Sequence, residues 1–414
     1  MAIFLKTTPE RPNIILILGD YMGYGDLGST GVQDISTPHL DRLAREGTLF
    51  TDATAAAPIC SPSRAAILTG RYPARIGLEE NINFGHAVAG LPGSEVTLAS
   101  ILRDDGFRTG LFGKWHLGMS HENDPIAHGF ENFLGFHDWS IDYHTHRMMN
   151  GRPGLYEGRK PTTRSGYSTD VFTDAAIDFI NEDDPRPYFA FVSYNAALPP
   201  HQPPQNPDDH RNSASWHDGT RSDYKGVVES LDAGVGKVLN TLCKSGVAEN
   251  TIVVFSYDHG GKELTRRHPF SHGFASLWEG GIRVPLIVRW PGHVHSDRRN
   301  AQSLSLMDIM PTLVNMVGAA LPSTTLDGID LHEILCGNEI LAERTFCWRL
   351  SFYYRRQKAI RQGIWKFLQD DKNELLFALD KDPGESNNLI YEEPEIAAEL
   401  RIKLRCWDES FPKF

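Results

Sequence analysis

Short runs of consecutive apolar residues recur along this chain, and segments with helical periodicity separate them. The runs lie at 13–18 (NIILIL), 108–113 (RTGLFG), 188–193 (YFAFVS), 251–257 (TIVVFSY) and 285–289 (PLIVR). Apolar character in these runs is continuous rather than alternating. This pattern predicts strands that are buried on both faces of a sheet.

Helices are predicted between these strands. The segment 37–47 (TPHLDRLAREG) has Thr37 as N-cap, Pro38 at the first helical position and Gly47 as the stop. Further helical patterns lie at 94–107, 168–182, 222–246 and 303–318. The alternation of strands and helices predicts an α/β fold with a large, mostly parallel sheet sandwiched by helices.

The pattern changes near residue 340. Short segments typical of antiparallel strands follow, and 392–411 (EEPEIAAELRIKLRCWDESF) predicts a closing helix. We therefore expect a catalytic domain over 1–340 and a small C-terminal α+β subdomain over 341–414. Residues 135–165 and 200–220, which are polar, aromatic and rich in Pro, Gly and His, are predicted to form long surface loops.

Composition excludes several classes of protein. The 414 residues carry a formal net charge of −12, which argues against nucleic acid as the main partner. No run approaches the roughly 20 apolar residues that a membrane span needs. The five cysteines are widely spaced and indicate neither a disulfide framework nor a zinc site. The first apolar run is too short for a signal peptide, which favours a cytoplasmic protein over a trimmed periplasmic or secreted one.

Polar side chains follow four of the predicted strands. They are Asp20 and Tyr21 after the first strand, Lys114 and His116 after the second, His201 beyond the third, and Asp258 and His259 after the fourth. The carboxyl ends of parallel strands meet at one edge, where open α/β sheets bind ligands. Carboxylate and imidazole groups suit a divalent cation, and basic side chains suit a tetrahedral oxyanion.

Cys60 precedes another predicted helix. Ser61 and Pro62 are typical of a helix start and Gly70 of its end, so Cys60 is expected just outside a helix N-terminus, with Arg64 one turn later. Backbone N–H groups and partial positive charge at such an end attract anions. The constellation is suited to transfer of a tetrahedral anionic group to a nucleophile at position 60.

The stretch CSPSRAAILTGRYPARIG, residues 60–77, resembles the signature of the type I sulfatases, which belong to the alkaline-phosphatase superfamily. Other matching stretches are DYMGYGDLG, TPHLDRLAREG, GKWHLG, DHGG, WEGGIRVPLIVRWPG, DIMPTL and LDKDPGESNNL. The resemblance extends over essentially the whole chain. It implies an alkaline-phosphatase-like fold and hydrolysis of an aryl or carbohydrate sulfate monoester.

In that family a formylglycine-generating enzyme oxidises the motif cysteine to Cα-formylglycine, which is hydrated to a gem-diol. One hydroxyl attacks sulfur and the second then expels sulfate. The resemblance implies a metal held by Asp20, Asp258 and His259, with residue 60 completing the shell and Tyr21 adding a phenol. It further implies that Arg64 pairs with the diol oxygens and the carboxylates, that Lys114 neutralises developing charge, that His116 acts on the second hydroxyl, and that His201 protonates the leaving alcohol or holds the sulfate.

The implied metal site departs from the family pattern. The family usually has Asp-Asp where this chain has Asp20-Tyr21, and Asp-Asn where it has Asp258-His259. The changes remove one carboxylate and add an imidazole, which moves the site away from the hard oxygen ligands that Ca²⁺ prefers. Ca²⁺ is the first expectation and Mn²⁺ the second, because related formylglycine-dependent phosphonate and phosphodiester hydrolases combine an Asp-His pair with Mn²⁺-like metals.

Two further positions leave alternatives open. The lysine that normally precedes the EGG motif is replaced by Phe274 in the gapless register, and the candidate substitutes are Lys262, His268 and His272. The family's Pro-His-x-Pro places Leu198 at the histidine without a gap. A three-residue insertion places His201 there, and the intact PHQP at 200–203 favours it.

Three functions follow from these observations. The leading hypothesis is hydrolysis of a sulfated small molecule or saccharide. The Asp-His pair supports, as an alternative, a phosphonate or phosphodiester hydrolase on the same scaffold. Tyr21, Phe274 and the histidine ambiguity support a non-catalytic member that binds sulfated ligands.

Overall fold

The structure is a computed structural model and describes residues 11–82, 90–209, 211–337 and 340–412. The first ten residues, which entered the expectation of a cytoplasmic protein, lie outside the described residues. So do the outer ends of the expected domains 1–340 and 341–414. The cellular location and the domain boundary at residue 340 therefore stay predictions.

A large mixed sheet forms the centre of the structure. Its strands are β1 (Asn13–Gly19), β2 (Thr48–Thr54), β3 (Arg108–Lys114), β4 (Asn132–Phe136), β5 (Tyr156–Glu157), β6 (Lys160–Pro161), β7 (Tyr188–Ser193), β8 (Thr251–Tyr257), β9 (Arg283–Arg289), β10 (Arg298–Asn300) and β11 (Leu304–Ser305). Their order is β10-β2-β9-β8-β1-β7-β3-β4-β5-β6, with β11 also paired to β2. Strands β8, β1, β7, β3 and β4 run parallel, whereas β9 is antiparallel to β8 and β2.

Helices cover both faces of this sheet. Every residue of β1, β3, β7 and β8 is therefore buried. The helices are α1 (Pro38–Glu46), α2 (Cys60–Thr69), α3 (Pro73–Ile76), α4 (Leu98–Asp104), α5 (Ser168–Ile180), α6 (Arg221–Lys244), α7 (Glu279–Ile282), α8 (Ile309–Met316), α9 (His332–Cys336) and α10 (Pro394–Glu409). Helices α1, α5 and α6 pack together, and α2, α4 and α8 form a second group. Of the helices in the described residues, none is long and apolar enough to cross a membrane.

The apolar runs and helical patterns were good guides to this architecture. All five predicted strands are present as β1, β3, β7, β8 and β9, and helix α1 lies between Thr37 and Gly47 as predicted. Strand β2 was not predicted. It carries Asp52, which is buried because the Arg361 guanidinium donates to both of its carboxylate oxygens at 2.6 Å. A charged residue interrupts the apolar run of this strand, and the partner that allows its burial is too distant in sequence to be recognised from the pattern.

The prediction of surface loops at 135–165 and 200–220 is wrong in part. Ile141, Tyr143, Gln202 and Trp216 are buried. The Tyr143 hydroxyl donates to the backbone carbonyls of Asn195 and Leu198, at 3.0 and 3.1 Å. These segments form packed structure beside the end of β7, since their polar groups find partners inside the protein.

A separate antiparallel sheet follows near the C-terminus, as the change of pattern predicted. Its strands are β12 (Thr345–Phe352), β13 (Arg355–Gln362), β14 (Trp365–Asp370) and β15 (Asn373–Ala378), paired in that order. One face packs on α10 through Ile360, Phe367, Leu376, Leu400 and Leu404. The other face packs on residues 275–282 through Ala359, Leu368, Phe377, Leu277 and Ile282.

Buried charges also join the C-terminal sheet to the rest of the chain. Lys366 on β14 is fully buried, and its ammonium lies 2.8 Å from a carboxylate oxygen of both Glu279 and Glu385. Glu279 is also paired with Arg283. Burial opposes its ionisation, but Arg283 and Lys366 prevail and hold the pKa of Glu279 well below its usual range.

We predict that Lys366→Ala destabilises the protein by about 3–5 kcal/mol, because two buried carboxylates lose their shared cation. Urea unfolding of the wild type and the variant measures the loss. The matched control is Lys403→Ala, which removes a solvent-exposed ammonium paired with Glu399 and should cost less than about 1 kcal/mol. Equal unfolding midpoints for wild type and Lys366→Ala would contradict the prediction.

Candidate active site

The ends of two central strands and the start of helix α2 meet in one buried cluster. Asp20 follows β1, Asp258 and His259 follow β8, and Cys60 begins α2. One ligand atom from each of these four residues lies within 4.8 Å of the others, and all four residues are buried. The predicted convergence at the carboxyl edge of the sheet is therefore present, since β8 and β1 are parallel neighbours.

Arg64 joins the two carboxylates of this cluster. Its Nη2 donates to Asp20 Oδ2 at 2.7 Å, and its Nε donates to Asp258 Oδ2 at 2.9 Å. Its Nη1 donates to Ser193 Oγ at 2.6 Å and to the Lys114 carbonyl at 3.1 Å. The side chain is 1% exposed. Ser193 was not predicted as a site residue, because a serine at the end of an apolar run carries no recognisable signal.

Lys114 and His116 extend the positive side of the cluster. Lys114 Nζ donates to Asp20 Oδ2 at 2.7 Å. His116 Nε2 lies 2.8 Å from the Ile82 carbonyl, which makes it the N–H donor and leaves the buried Nδ1 as an acceptor without a partner. Burial, and then Lys114 and Arg64, lower the pKa of His116 well below its usual value. Its ring is therefore neutral and able to accept a proton.

On the opposite side of the cluster, His259 lies beside the two carboxylates. Burial raises the pKa of Asp20, but Lys114, Arg64 and His259 outweigh it and hold that pKa below its usual range. Burial lowers the pKa of His259, but Asp258 and Cys60 outweigh it and raise that pKa to about 10. His259 Nε2 lies 3.5 Å from Asp258 Oδ1 and 3.7 Å from Asp20 Oδ1. A proton on this nitrogen thus lies between the two carboxylates, and a bound cation would take its place.

The donor atoms fit a divalent cation. Asp258 Oδ1 is buried and has no hydrogen-bond partner among the described residues, although a carboxylate oxygen is a strong hydrogen-bond acceptor. His259 Nδ1 lies 2.9 Å from the Gly260 carbonyl and donates to it, which directs Nε2 toward the carboxylates. The ligand set for such a cation therefore consists of two carboxylates, one imidazole nitrogen and the side chain of residue 60.

Cys60 is the first residue of α2 and not, as expected, a residue just outside it. The Ser63 N–H donates to the Ile59 carbonyl at 3.3 Å, so the first helical turn already includes Cys60. The Ser61 N–H donates to Asn81 Oδ1 at 3.0 Å. Asn81 therefore caps one of the N–H groups that the sequence suggested were free. The predicted end at Gly70 is confirmed by its left-handed φ of 67°.

Tyr21 and Phe274 form an aromatic wall beside the cluster. Their ring centroids are 4.9 Å apart, and the Phe274 centroid lies 5.1 Å from that of His259. Tyr21 has a φ of 60°, an uncommon value for a bulky residue that marks it as tightly held. Burial raises the pKa of the Tyr21 phenol. A neutral phenol is a weak metal ligand, and ligation by Tyr21 stays a prediction.

A cavity of about 640 Å³ opens from Cys60 toward the surface. Leu198, Phe274 and Lys262 line it, whereas His268 and His272 do not. Lys262 thus reaches the cavity in which Phe274 replaces the usual lysine. Its ammonium lies 3.1 Å from Glu263, and its side chain is about half exposed.

His201 lines an adjoining cavity of about 310 Å³. The two cavities share Tyr21, Pro199, His217 and Lys262 as walls. Burial lowers the pKa of His201 to about 4, so its ring is neutral at neutral pH. Leu198 is therefore the residue on the wall of the Cys60 cavity, and His201 lies one cavity away. The role expected of His201 stays a prediction.

Comparison with known proteins identifies the family of this chain. The sulfatase family profile matches residues 12–319, and a profile described as N-sulphoglucosamine sulphohydrolase, C-terminal, matches 272–408. Steryl-sulfatase of Mus musculus is 32% identical, with 86% of this chain and 70% of that protein covered. N-acetylgalactosamine-6-sulfatase of Rattus norvegicus is 31% identical over 93% of this chain and 82% of that protein.

A solved structure extends this comparison to three dimensions. Ps i-CgsB in complex with k-i-k-neocarrahexaose has a TM-score of 0.88 and 30% identity, covering 96% of this chain and 93% of that one. The fold and the site define a hydrolase of sulfuric esters with an alkaline-phosphatase-like architecture. The chain belongs to the sulfatase family.

We predict that His259 sets the metal preference of this site. His259→Asn replaces a nitrogen ligand by an oxygen ligand and should shift the ratio of Mn²⁺ to Ca²⁺ affinity toward Ca²⁺ by about tenfold or more. Calorimetric titration of each ion into wild type and variant measures the shift without any need for turnover. His217→Asn, which alters a cavity wall outside the cluster, is the control. An unchanged ratio in His259→Asn would exclude this role.

Proposed function

We propose that this protein hydrolyses an aryl or carbohydrate sulfate monoester through formylglycine made from Cys60. The observation that supports this most strongly is Arg64. One buried guanidinium holds two carboxylates one helical turn from Cys60, at the start of a helix. Such a site combines a cation-binding side, a nucleophile position and basic groups for a tetrahedral anion.

We propose Asp20, Asp258 and His259 as ligands of a divalent cation, with Ca²⁺ as the first candidate and Mn²⁺ as the second. The ion would supply Lewis-acid stabilisation of negative oxygen. Hydrated formylglycine would supply a hydroxyl nucleophile toward sulfur, together with a second hydroxyl that permits release of sulfate. A formylglycine-generating enzyme is the maturation partner that this chemistry requires.

The chain's own residues complete the chemistry. Lys114 uses one N–H on Asp20, and its ammonium can direct others at a sulfate oxygen. Among the described residues His116 Nδ1 has no hydrogen-bond partner, and its free lone pair in a neutral ring can accept a hydrogen bond, and then the proton, from a hydroxyl at residue 60. Arg64 pairs with both buried carboxylates and lowers the pKa of each, although burial and the neighbouring Asp20 still raise the pKa of Asp258 above its usual value.

The first test of this proposal uses Cys60→Ala. We expect hydrolysis of 4-nitrophenyl sulfate by protein from a host with a formylglycine-generating enzyme, and a loss of about 10³-fold or more in the variant. The mass of the tryptic peptide that contains residue 60 reports its conversion. Equal turnover by Cys60→Ala would exclude the mechanism. Full conversion with ligand binding but no turnover would instead support the non-catalytic alternative.

The Asp258-His259 pair keeps a phosphonate or phosphodiester hydrolase as the second candidate function. His259 Nε2 faces both carboxylates, as a nitrogen ligand for a Mn²⁺-like metal would. Turnover of 4-nitrophenyl sulfate and of an aryl phosphonate is compared with Ca²⁺ and with Mn²⁺. Our proposal predicts the higher kcat/KM for the sulfate with either ion, and the reverse order would favour the second candidate.

The leaving alcohol provides a further prediction. We propose that Lys262, which lines the Cys60 cavity, donates the proton to the leaving alcohol. Lys262→Ala should then lower kcat/KM for an alkyl sulfate by about 10²-fold and spare 4-nitrophenyl sulfate, whose leaving group needs no proton. His201 lies in the adjoining cavity and its ring is neutral at neutral pH, so we expect His201→Ala to affect both substrates to a similar extent. Equal effects of Lys262→Ala on the two substrates would exclude a proton-donating role for Lys262.

A further inference from the structure

Two exposed tyrosines stand at the turn between β12 and β13. Tyr353 is 80% exposed and Tyr354 is 97% exposed. Tyr353 has a φ of 51°, and the Arg356 side chain donates to its carbonyl at 3.0 Å, which stabilises the turn. Adjacent aromatic rings that are exposed to solvent and fixed in position are a feature of binding surfaces.

The turn is continuous with the active-site cavity. Ser351, Phe352 and Tyr353 line the cavity that contains Cys60. Ring contacts connect the site to the surface. The centroid distances are 5.8 Å from Phe274 to Phe352 and 4.7 Å from Phe352 to Tyr353. A ligand whose reacting group lies at residue 60 would therefore extend along this row of rings toward Tyr354.

The cavity wall combines polar side chains with apolar and aromatic ones. Glu80, Asn81, His217 and Ser351 line it together with Trp139, Leu198 and Phe352. A steroid would favour a continuous apolar lining, because it cannot satisfy these groups. A sugar has apolar C–H faces for the rings and hydroxyls for the polar groups, so it matches this lining.

The turn is also locally basic, although the chain carries a net charge of −12. Arg355 and Arg356 follow the tyrosines and are exposed. Their guanidinium groups donate to the backbone carbonyls of Ala275 and Tyr353 and, in the part of the chain that the structure describes, form no ion pair. The Asp371 carboxylate lies beside Arg356 and accepts a hydrogen bond from its backbone N–H at 3.2 Å, so Arg355 is the cation that complements an anionic ligand next to the rings.

We propose that the β12–β13 turn binds a second sugar unit of a saccharide that carries more than one sulfate. Tyr353 and Tyr354 stack on this unit, and Arg355, which lies on the face of β13 toward residues 275–282, faces its sulfate. The inference rests on the proposed function, since it places the sulfate ester that is cleaved at residue 60. It assigns the substrate to multiply sulfated oligosaccharides rather than to aryl or steroid sulfates.

Binding measured on Cys60→Ala protein tests this inference without turnover. The probes are sulfated galactan and glucosaminoglycan disaccharides and hexasaccharides, a steroid sulfate and 4-nitrophenyl sulfate. We expect a hexasaccharide of one of these two classes to bind about tenfold tighter than its disaccharide. Adding Tyr353→Ala or Tyr354→Ala should weaken the hexasaccharide about three- to tenfold, and Tyr354→Ala should leave 4-nitrophenyl sulfate unchanged.

The matched control is Tyr391→Ala, which removes another exposed tyrosine (90% exposed) that does not line the cavity. It should leave every affinity unchanged. Any of three results would overturn the inference. Hexasaccharides bind no tighter than disaccharides, or their tighter binding persists in both tyrosine variants. Alternatively, the steroid sulfate is the one probe that loses affinity in Tyr353→Ala. Hydrolysis of 4-nitrophenyl sulfate by matured wild type tests the proposed function separately.

Discussion

The site depends on one buried ion-pair network centred on Arg64. Two carboxylates at the ends of neighbouring parallel strands would repel each other and resist burial without a cation. The guanidinium pairs with both, and its fixed planar geometry sets the distance between Asp20 and Asp258. Because Arg64 lies one turn after Cys60 on α2, the same contacts fix the position of residue 60 relative to the strand ends. The proposed nucleophile position and the proposed cation-binding side are thus held by a single side chain.

The C-terminal sheet is part of this site and not an appendage to it. Its buried Lys366 pairs with Glu279, the first residue of α7, and its other contacts cover the segment that carries Phe274. Phe352 and Tyr353 then continue the cavity wall. In the proposed function, changes in the turn between β12 and β13 would alter substrate recognition while the groups at the strand ends stay the same.

The aromatic substitutions near the site redistribute charge. Phe274 and Tyr21 pack on His259 where the family pattern has a lysine and a carboxylate. Lys262 supplies a positive charge to the same cavity from the loop after β8. The inner site consequently has fewer charges than the family pattern and one more imidazole, and Lys262 adds a cation to the cavity wall. This arrangement is consistent with a change of metal or leaving group on an unchanged scaffold.

The sequence alone was sufficient for the fold class, the main strands, helix α1 and the residues at the strand ends. These features depend on local patterns: buried runs, caps, and a motif whose members lie close together in the chain. The sequence could not predict four features: strand β2, the capping of Ser61 by Asn81, the contact of Arg64 with Ser193, and the separation of His201 from Cys60. Each depends on a partner distant in sequence, and only the packing of the folded chain decides which distant groups meet. The motif determined which side chains reach the catalytic edge, and the tertiary structure determined the shape and charge of the cavity above them.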